Sequence, residues 1–200
     1  MKSKLVLASA SKSRCQLLEN AGFSFDIVPA EVDEQAIRDT LLQSDGVEPG
    51  DVAEVLARAK AEAVSAALPD RLVIGADQIL GLDGKIFEKP RNMDVARQTL
   101  LDLRGKTHAL HSSVCVAQAG RVVWHHGDAA YLTLWNLTPE FIGRYLAQAG
   151  EAMCQSVGAY QLEGVGVQLF ERIEGDYFTI LGLPLVPLVA YLREEHRLSV

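Results

Sequence analysis

The run RLVIGADQIL, residues 71–80, constrains the fold more than any other stretch of the chain. Its first six residues, RLVIGA, form a short apolar run with branched side chains, which predicts a buried strand of the parallel-sheet kind. Asp77 and Gln78 follow directly, and a carboxylate beside a buried strand costs free energy unless a partner pairs with it. Either the strand ends at Ala76 and Asp77 caps a turn, or Asp77 is held there for chemistry.

Helices and strands alternate in the first part of the chain. KLVLAS and FSFDIVP read as short strands, and SKSRCQLLENAGF between them has helical apolar spacing with Gly22 as its stop. Asp51 precedes VAEVLARAKAEAVSAAL, a strong helix of good helix formers. This alternation is typical of an α/β fold with helices covering the sheet.

Antiparallel strands dominate the middle of the chain. Asp83-Gly84 lies between two apolar runs and suits a tight hairpin turn, and two long strands meet at Ala119-Gly120. Thr138, followed by Pro139, has the features of a helix N-cap. We therefore expect an α/β protein with a mixed twisted sheet flanked by helices, in a single domain over residues 1–200.

Charge and composition exclude several classes of function. The 19 Lys and Arg against 26 Asp and Glu give a net charge of −7, which argues against binding along a nucleic-acid backbone. A small anionic ligand stays compatible, because a local cluster of cations can reverse the sign of the field. No apolar run approaches the ~18 residues of a membrane span. We expect no nucleic-acid or membrane partner and a cytoplasmic location.

The segment LASASKSR joins the first strand to a helix. Ser9 and Ser11 are small, and small residues let backbone N–H groups approach a negatively charged ligand at a helix start. Lys12 and Arg14 add two cations within the first turn. The alternative is a Ser-capped surface helix with unrelated charges, because turns of this kind are common.

Two further charged positions allow alternative interpretations. Glu31 in VPAEVDE either caps the next helix or holds a divalent metal ion, and capping is the commoner role for an acidic residue alone. Lys60 lies at the edge of the apolar stripe of its helix. Its ammonium group either extends to solvent, which is the commoner outcome, or points into a site.

The remaining candidates follow the strand that ends in Asp77. A carboxylate at a carboxyl-terminal strand end can bind Mg²⁺ or take a proton from water, and the Gln78 amide suits the edge of a nucleobase. FEKP brings Lys89 back along the hairpin. GAYQLEGVG places Glu163 among glycines that suggest tight backbone geometry, although a solvated Gly-rich turn would look the same.

Together and in this order, these segments resemble one family. LASASKSR, AEVDE, ARAKA, GADQ, EKP, the GK-x-H of residues 105–108 and GAYQLEG are similar to the motifs of the Maf-like nucleoside triphosphate pyrophosphatases. The resemblance spans nearly the whole chain, from Leu5 to Pro184.

The resemblance implies an enzyme that hydrolyses a nucleoside triphosphate to the monophosphate and pyrophosphate with a divalent cation, Mg or Mn. It implies an inosine-triphosphatase-like fold with two lobes around a cleft, and a homodimer. The roles it assigns are Asp77 as the catalytic carboxylate, also at the metal with Glu31, and phosphate binding by four residues. These phosphate-binding residues are Ser9, Arg14, Lys60 and Lys89.

Three substrate-binding positions depart from the family's commonest form. Ser13 stands where the first arginine of an RR pair is usual, Gln78 replaces Thr, and Glu163 replaces the Gln of the thymidine and uridine triphosphate branch. Together they resemble the 7-methyl-GTP branch, because a carboxylate accepts from guanine N1–H and its exocyclic amine and favours a cationic base. The alternatives are a dTTP- or UTP-directed pyrophosphatase and a nucleotide-binding regulator of cell division without catalysis.

Overall fold

The computed structural model describes residues 4–196, and the side chains of residues 4–194. The strands are β1 (Leu5–Leu7), β2 (Phe25–Ile27), β3 (Leu72–Leu82), β4 (Lys85–Phe87), β5 (Thr107–Gln118), β6 (Arg121–Leu134) and β7 (Phe170–Glu174). The α-helices are α1 (Lys12–Asn20), α2 (Glu34–Leu41), α3 (Pro49–Ala67), α4 (Met93–Leu103), α5 (Pro139–Ala149), α6 (Tyr177–Ile180) and α7 (Leu185–His196). Short 3₁₀ helices cover Glu151–Gln155 and Val165–Leu169.

The strands form one mixed sheet, as the sequence predicted. The strand order is β2-β1-β3-β5-β6-β7, and β4 pairs with the far end of β3. β1 pairs in parallel with both β2 and β3, whereas the β3–β4 and β6–β7 pairs are antiparallel. The predicted α/β class with a mixed sheet and flanking helices is confirmed.

The chain divides into two compact units. The first unit contains the residues up to Gln78, His111–Asp128 and the chain from Asp176 onward, and the second contains Ile79–Leu110 and Ala129–Gly175. A large part of the apolar core of the first unit consists of leucines from β1, α1 and α7, such as Leu7, Leu18 and Leu188, which are fully buried. The prediction of a single domain over residues 1–200 stays a prediction.

Close packing of α3 against β3 positions the most important side chains of the first unit. Gly75 on β3 lies directly against the backbone of α3, because an added Cβ would lie 2.3 Å from the Ala57 carbonyl oxygen and 2.7 Å from the Ala61 nitrogen. No larger side chain fits at position 75 without moving the helix. The sequence therefore brings one face of α3 within a side chain's reach of β3.

The start of α3 differs from the sequence prediction. The helix begins at Pro49, and Glu48 is its N-cap, whereas Asp51 was expected to precede the helix. Asp51 instead occupies the third helical position, where its side chain accepts from the Glu48 backbone N–H at 3.0 Å in a capping box. Proline at the first helical position explains the earlier start, because its missing N–H would have no partner there anyway.

The two predicted hairpin turns and the predicted N-cap are confirmed. Asp83 and Gly84 have φ values of 51° and 75°, and Ala119 and Gly120 have φ values of 50° and 77°. Positive φ at both central residues is the geometry of the type I′ turn, whose twist matches that of the flanking strands. The Thr138 side chain accepts from the backbone N–H of the third residue after it, at 3.2 Å.

Candidate functional site

Asp77 lies inside β3 and does not end it. The strand continues to Leu82, and Asp77 is buried with 7% of its surface exposed. The parallel pairing with β1 covers Leu72, Val73 and Ile74, so Asp77 lies three residues beyond the last of these pairs. Of the two alternatives for Asp77, the one in which the strand ends at Ala76 and Asp77 caps a turn is therefore excluded. A carboxylate buried inside a strand needs a partner for its charge.

Lys60 supplies that pairing. Its Nζ lies 2.6 Å from Asp77 Oδ1 and 2.9 Å from Glu34 Oε1, and Lys60 is itself only 7% exposed. Of the two outcomes considered for Lys60, the less common one is observed, because its ammonium points inward and meets two carboxylates. The buried ammonium thus has two carboxylate partners, and the contact at 2.6 Å fixes the position of Asp77 Oδ1.

Glu34, and not Glu31, makes the acidic contact of this cluster. Glu34 is the first residue of α2, and Asp33 caps that helix by accepting from the Ala36 backbone N–H at 3.0 Å. Glu31 is exposed and precedes the helix without touching the Lys60–Asp77 pair. The sequence indicated the correct acidic segment. It did not show which carboxylate of the AEVDE motif contacts Lys60, so Glu34 was missed.

Arg14 is anchored by three acceptors beside Asp77. Nε donates to the Gly182 carbonyl at 2.8 Å, and Nη1 donates to the Ala76 carbonyl at 2.9 Å and to Ser9 Oγ at 3.3 Å. Nη2 forms no hydrogen bond with any residue that the structure describes. Burial lowers the pKa of the guanidinium from its ordinary value, while the carboxylates of Asp77 and Glu34 oppose that change.

The serines of LASASKSR hold the loop before α1 in place. Ser9 is buried, and its Oγ accepts from the Ser11 backbone N–H at 3.2 Å. Ser11 is the N-cap of α1 and accepts from the Arg14 backbone N–H. The predicted strand-to-helix turn is thus present, and Ser9 and Arg14 are brought together there. Ser13 Oγ lies 3.0 Å from Ser11 Oγ and donates to the Leu181 carbonyl at 3.2 Å.

The Gln78 side chain is bound to protein groups. Its Nε2 donates to Ser112 Oγ at 2.9 Å and to the carbonyls of Thr179 and Ile180, each at 3.0 Å. The NH₂ end of the amide is therefore occupied by protein oxygens, and the role of Gln78 at a nucleobase stays a prediction.

The second unit contains the two other predicted substrate-binding residues. Lys89 is exposed after β4, and Glu163 is exposed in the GAYQLEG segment. The tight geometry predicted for this segment is confirmed at Gly158 and Gly166. A Cβ there would lie 2.1 Å from the Tyr160 ring and 2.4 Å from the Gln161 carbonyl oxygen, respectively. The roles of Lys89 and Glu163 at a nucleotide stay predictions.

A buried pair fixes the same segment from behind. His108 Nε2 and the Tyr160 hydroxyl are 2.6 Å apart, and His108 is 1% exposed. Burial lowers the pKa of His108 to about 4 and raises the pKa of Tyr160 above its ordinary value. His108 is therefore neutral at physiological pH, and it contacts the Gly-rich segment through Tyr160.

The acidic groups next to Lys60 are the ones that could hold a divalent cation. Within residues 4–196, no group of three or more His, Cys, Asp or Glu side chains is arranged to bind a metal ion. Mg²⁺ commonly takes only one or two protein carboxylates and completes its shell with water and substrate phosphates. Asp77 and Glu34 are such a pair, and Asp77 Oδ2 is bonded to no described residue. This donor set fits a cation shared with a bound phosphate.

The helices that the structure describes include none that is both long enough and apolar enough to cross a membrane.

Curated relatives match along nearly the whole chain. A protein named 7-methyl-GTP pyrophosphatase from Brucella abortus biovar 1 (strain 9-941) is 51% identical over 195 residues, which are 98% of this chain and 98% of the relative. A protein named Nucleoside triphosphate pyrophosphatase from Paramagnetospirillum magneticum (strain ATCC 700264 / AMB-1) is 51% identical over 193 residues, or 96% of this chain and 99% of the relative.

A solved structure described as a nucleoside-triphosphatase and dITP/XTP pyrophosphatase from Mycobacterium abscessus is more distantly similar. It is 14% identical, covers 98% of this chain and 96% of its own, and has a TM-score of 0.41. Because this similarity is weak, the inosine-triphosphatase-like fold and the two-lobed cleft stay predictions.

A comparison of the chain with models of protein families tests the predicted family most directly. The model of the Maf-like protein family matches residues 4–195, which contain every motif from which the resemblance was inferred. Together with the relatives at 51% identity, this match establishes that the chain belongs to the Maf-like protein family.

Proposed function

We propose that this protein is a nucleoside triphosphate pyrophosphatase that cleaves the bond between the α- and β-phosphates, with 7-methyl-GTP as its substrate. The observation that carries the proposal is the Lys60–Asp77 pair, 2.6 Å apart and buried, with Glu34 on the same ammonium group. The relatives at 51% identity, which are named as pyrophosphatases, support the same reaction.

In this proposal Asp77 is the catalytic residue. Its free oxygen, Oδ2, orients or deprotonates the water that attacks the α-phosphorus, and pyrophosphate leaves. The Lys60 ammonium fixes the carboxylate by binding Oδ1 at 2.6 Å, so that the direction of Oδ2 is set before substrate arrives. Because the carboxylate is already oriented, less reorganisation is needed during the reaction, and the activation free energy is lower.

Charge stabilisation comes from cations on separate segments. Arg14 offers Nη2 after its other donors are bound to protein, and Ser9, Lys60 and Lys89 complete the proposed phosphate-binding set. A divalent cation, Mg or Mn, supplies further neutralisation of the triphosphate when bound, and Asp77, Glu34 and Glu31 are the residues that would hold it. Such positive charge matters more than base strength, because phosphoryl chemistry depends chiefly on positioning and electrostatics.

The choice of 7-methyl-GTP rests on Glu163 and on the names of relatives. A carboxylate accepts two hydrogen bonds from the Watson–Crick edge of guanine, and its negative charge favours the cationic 7-methyl base. A broader or pyrimidine-directed pyrophosphatase is the second candidate, because one relative at 51% identity carries only the general name. We also propose that the enzyme acts as a homodimer and in the cytoplasm, where free nucleotides are found.

A nucleotide panel tests the proposed reaction, its need for a metal ion and its substrate. The purified protein is assayed with 7-methyl-GTP, GTP, dTTP and UTP, with Mg²⁺ or Mn²⁺, and both products are identified. We expect equal amounts of monophosphate and pyrophosphate, a requirement for a divalent cation, and the highest kcat/KM with 7-methyl-GTP. Release of inorganic phosphate and a nucleoside diphosphate would contradict the reaction, and equal rates on all bases would contradict the choice of substrate. Nucleotide binding without turnover would favour a regulator.

A further inference from the structure

His111 on β5 is half-buried, and neither of its ring nitrogens forms a hydrogen bond or an ion pair with a residue that the structure describes. The three other histidines with described side chains all have a partner, which is a hydroxyl group for His108, a carboxylate for His125 and a stacked tryptophan ring for His126. The His111 imidazole is therefore a polar group whose hydrogen-bonding capacity is not taken up by the described part of the fold.

The alternation of side chains along neighbouring strands places His111 on the same face of the sheet as Asp77. β3 and β5 are adjacent in the sheet, and the side chains of Gln78 and Ser112 bond each other at 2.9 Å, so these two side chains share one face. The residues directly before them are Asp77 and His111. These two therefore lie together on the opposite face, whichever way the two strands run.

Helix α3 covers this opposite face and supports the same placement. Gly75, two residues before Asp77, packs against the backbone of α3, and Lys60 on α3 reaches Asp77 Oδ1 at 2.6 Å. An added Cβ at Gly50, in the first turn of α3, would lie 3.5 Å from His111 Nδ1. The His111 ring and the Lys60–Asp77 pair therefore lie along one helix, on one face of the sheet.

The spacing of the strands brings the His111 ring within reach of a group bound at Asp77. Neighbouring strands lie about 4.8 Å apart, and residues follow each other about every 3.3 Å along a strand. The Cα atoms of Asp77 and His111 are therefore about 5 to 10 Å apart. A phosphate chain whose α-phosphorus lies at the Asp77 carboxylate can contact both side chains.

The His111 imidazole is a neutral hydrogen-bond donor in this place. Burial lowers its pKa from the ordinary value, and the carboxylate of Glu48 opposes that change. The ring is therefore mostly neutral at physiological pH, with one N–H donor and one acceptor nitrogen. An N–H group without a protein acceptor, on the face that carries Lys60 and Asp77, suits a phosphate oxygen, because hydrogen bonds to ionised acceptors are the stronger ones.

We infer that His111 is a substrate-binding residue, whose imidazole N–H donates a hydrogen bond to a phosphate oxygen of the bound nucleotide beside Asp77. This inference rests on the proposed function and deepens it, because it adds a neutral donor on β5 to the cations on α1 and α3. The contact is to the phosphate chain and not to the base, since in the proposed function Asp77 acts at the α-phosphorus.

Two substitutions of His111 separate hydrogen bonding from packing. His111→Phe keeps an aromatic ring and removes both nitrogens, whereas His111→Gln keeps an N–H donor. His126→Phe is the matched control, because His126 is also half-buried but stacks on Trp124, and its neighbour His125 is the one that faces α3. Binding of inorganic tripolyphosphate, which has no base, is measured by calorimetry with Mg²⁺ present. The ratio kcat/KM is measured with 7-methyl-GTP and with UTP.

We expect His111→Phe to weaken tripolyphosphate binding about tenfold and to lower kcat/KM by the same factor on both nucleotides. His111→Gln should stay within about threefold of the wild type, because it still donates, and His126→Phe should match the wild type. Rescue by the glutamine is the readout that a packing role would not produce. In the wild type, tripolyphosphate should also shift the ¹⁵N resonances of one imidazole, which are missing from His111→Gln.

Wild-type tripolyphosphate binding by His111→Phe would overturn the inference, and so would equal losses in His111→Phe and His111→Gln. A loss confined to 7-methyl-GTP would overturn it in favour of a contact with the base. If His111→Phe does not fold, the wild-type resonances decide, and His111 nitrogens unmoved by saturating tripolyphosphate would contradict the inference. A wild-type protein that binds tripolyphosphate but hydrolyses no nucleotide contradicts the proposed function, whereas wild-type kinetics in His111→Phe contradict only this inference.

Discussion

Lys60 Nζ lies 2.6 Å from Asp77 Oδ1, and both residues are 7% exposed. The two side chains come from α3 and β3, which pack so closely at Gly75 that no side chain fits between them. Glu34 approaches the same ammonium group to 2.9 Å from α2. The stability of this cluster and its chemistry are therefore linked, because the Lys60 ammonium is the cation for both carboxylates.

Lys60→Met should destabilise the protein by about 3 kcal/mol or more, because it leaves a buried Asp77 without its cation. Urea unfolding followed by circular dichroism measures the change. Lys106→Met is the matched control, since Lys106 pairs with Asp83 at 3.4 Å and both side chains are largely exposed. That variant should stay within about 0.5 kcal/mol of the wild type. Equal, small effects of the two substitutions would show that burial of the Lys60–Asp77 pair is energetically unimportant.

Glu163→Gln should lower kcat/KM for 7-methyl-GTP about tenfold more than for UTP. The carboxylate has two acceptor oxygens and a negative charge for the methylated guanine edge, whereas the amide has one oxygen and no charge. Steady-state kinetics on both nucleotides give the ratio. Glu151→Gln, at another exposed acid of the second unit, should leave the ratio unchanged. Equal losses on both nucleotides in Glu163→Gln would refute base recognition by this residue.

Gly75→Ala should destabilise the protein by about 3 kcal/mol or more, since the new methyl group would overlap the Ala57 carbonyl, a backbone atom that cannot rotate away. Turnover should fall as well, because α3 carries Lys60 and must move from β3. Gly127→Ala is the control, with nothing within 4 Å of its added Cβ. Denaturant melts and kcat for both variants provide the comparison. A Gly75→Ala protein as stable and active as Gly127→Ala would disprove the close packing.

The buried His108 should make stability depend on pH. Its pKa is about 4 in the folded state against an ordinary 6.5, so between these values the unfolded chain binds more protons than the folded one. This depressed pKa contributes a loss of about 3 kcal/mol as pH falls from about 6.5 to 4. His108→Gln, which can still bond Tyr160 but does not titrate, should flatten the curve of unfolding free energy against pH in that window. Identical slopes for both proteins would contradict the shift.

Local features were predictable from the sequence because their causes lie within a few residues. The turns at Asp83-Gly84 and Ala119-Gly120 and the N-cap at Thr138 each depend on the intrinsic backbone or capping preference of one or two residues. The buried parallel strand was predictable for the same reason, since its apolar run is uninterrupted from Leu72 to Ile74.

Features that depend on distant partners were not predictable. β3 continues through Asp77 because Lys60, 17 residues earlier, supplies a cation for it. The Gln78 amide donates to carbonyls 101 and 102 residues away, which no local pattern indicates. Glu34 was missed in favour of Glu31 because only the start of α2 decides which carboxylate of the acidic segment faces Lys60.

The most direct test is the rate of pyrophosphate release by Asp77→Asn. The asparagine keeps the shape of the side chain but cannot act as a base or as a negatively charged metal ligand. We predict a fall in kcat on the order of a hundredfold or more with 7-methyl-GTP. Asp102→Asn, at an exposed residue that accepts from Gln98 at 2.7 Å, should retain the wild-type rate. Near-normal pyrophosphate release by Asp77→Asn would contradict the proposal that this carboxylate performs the chemistry.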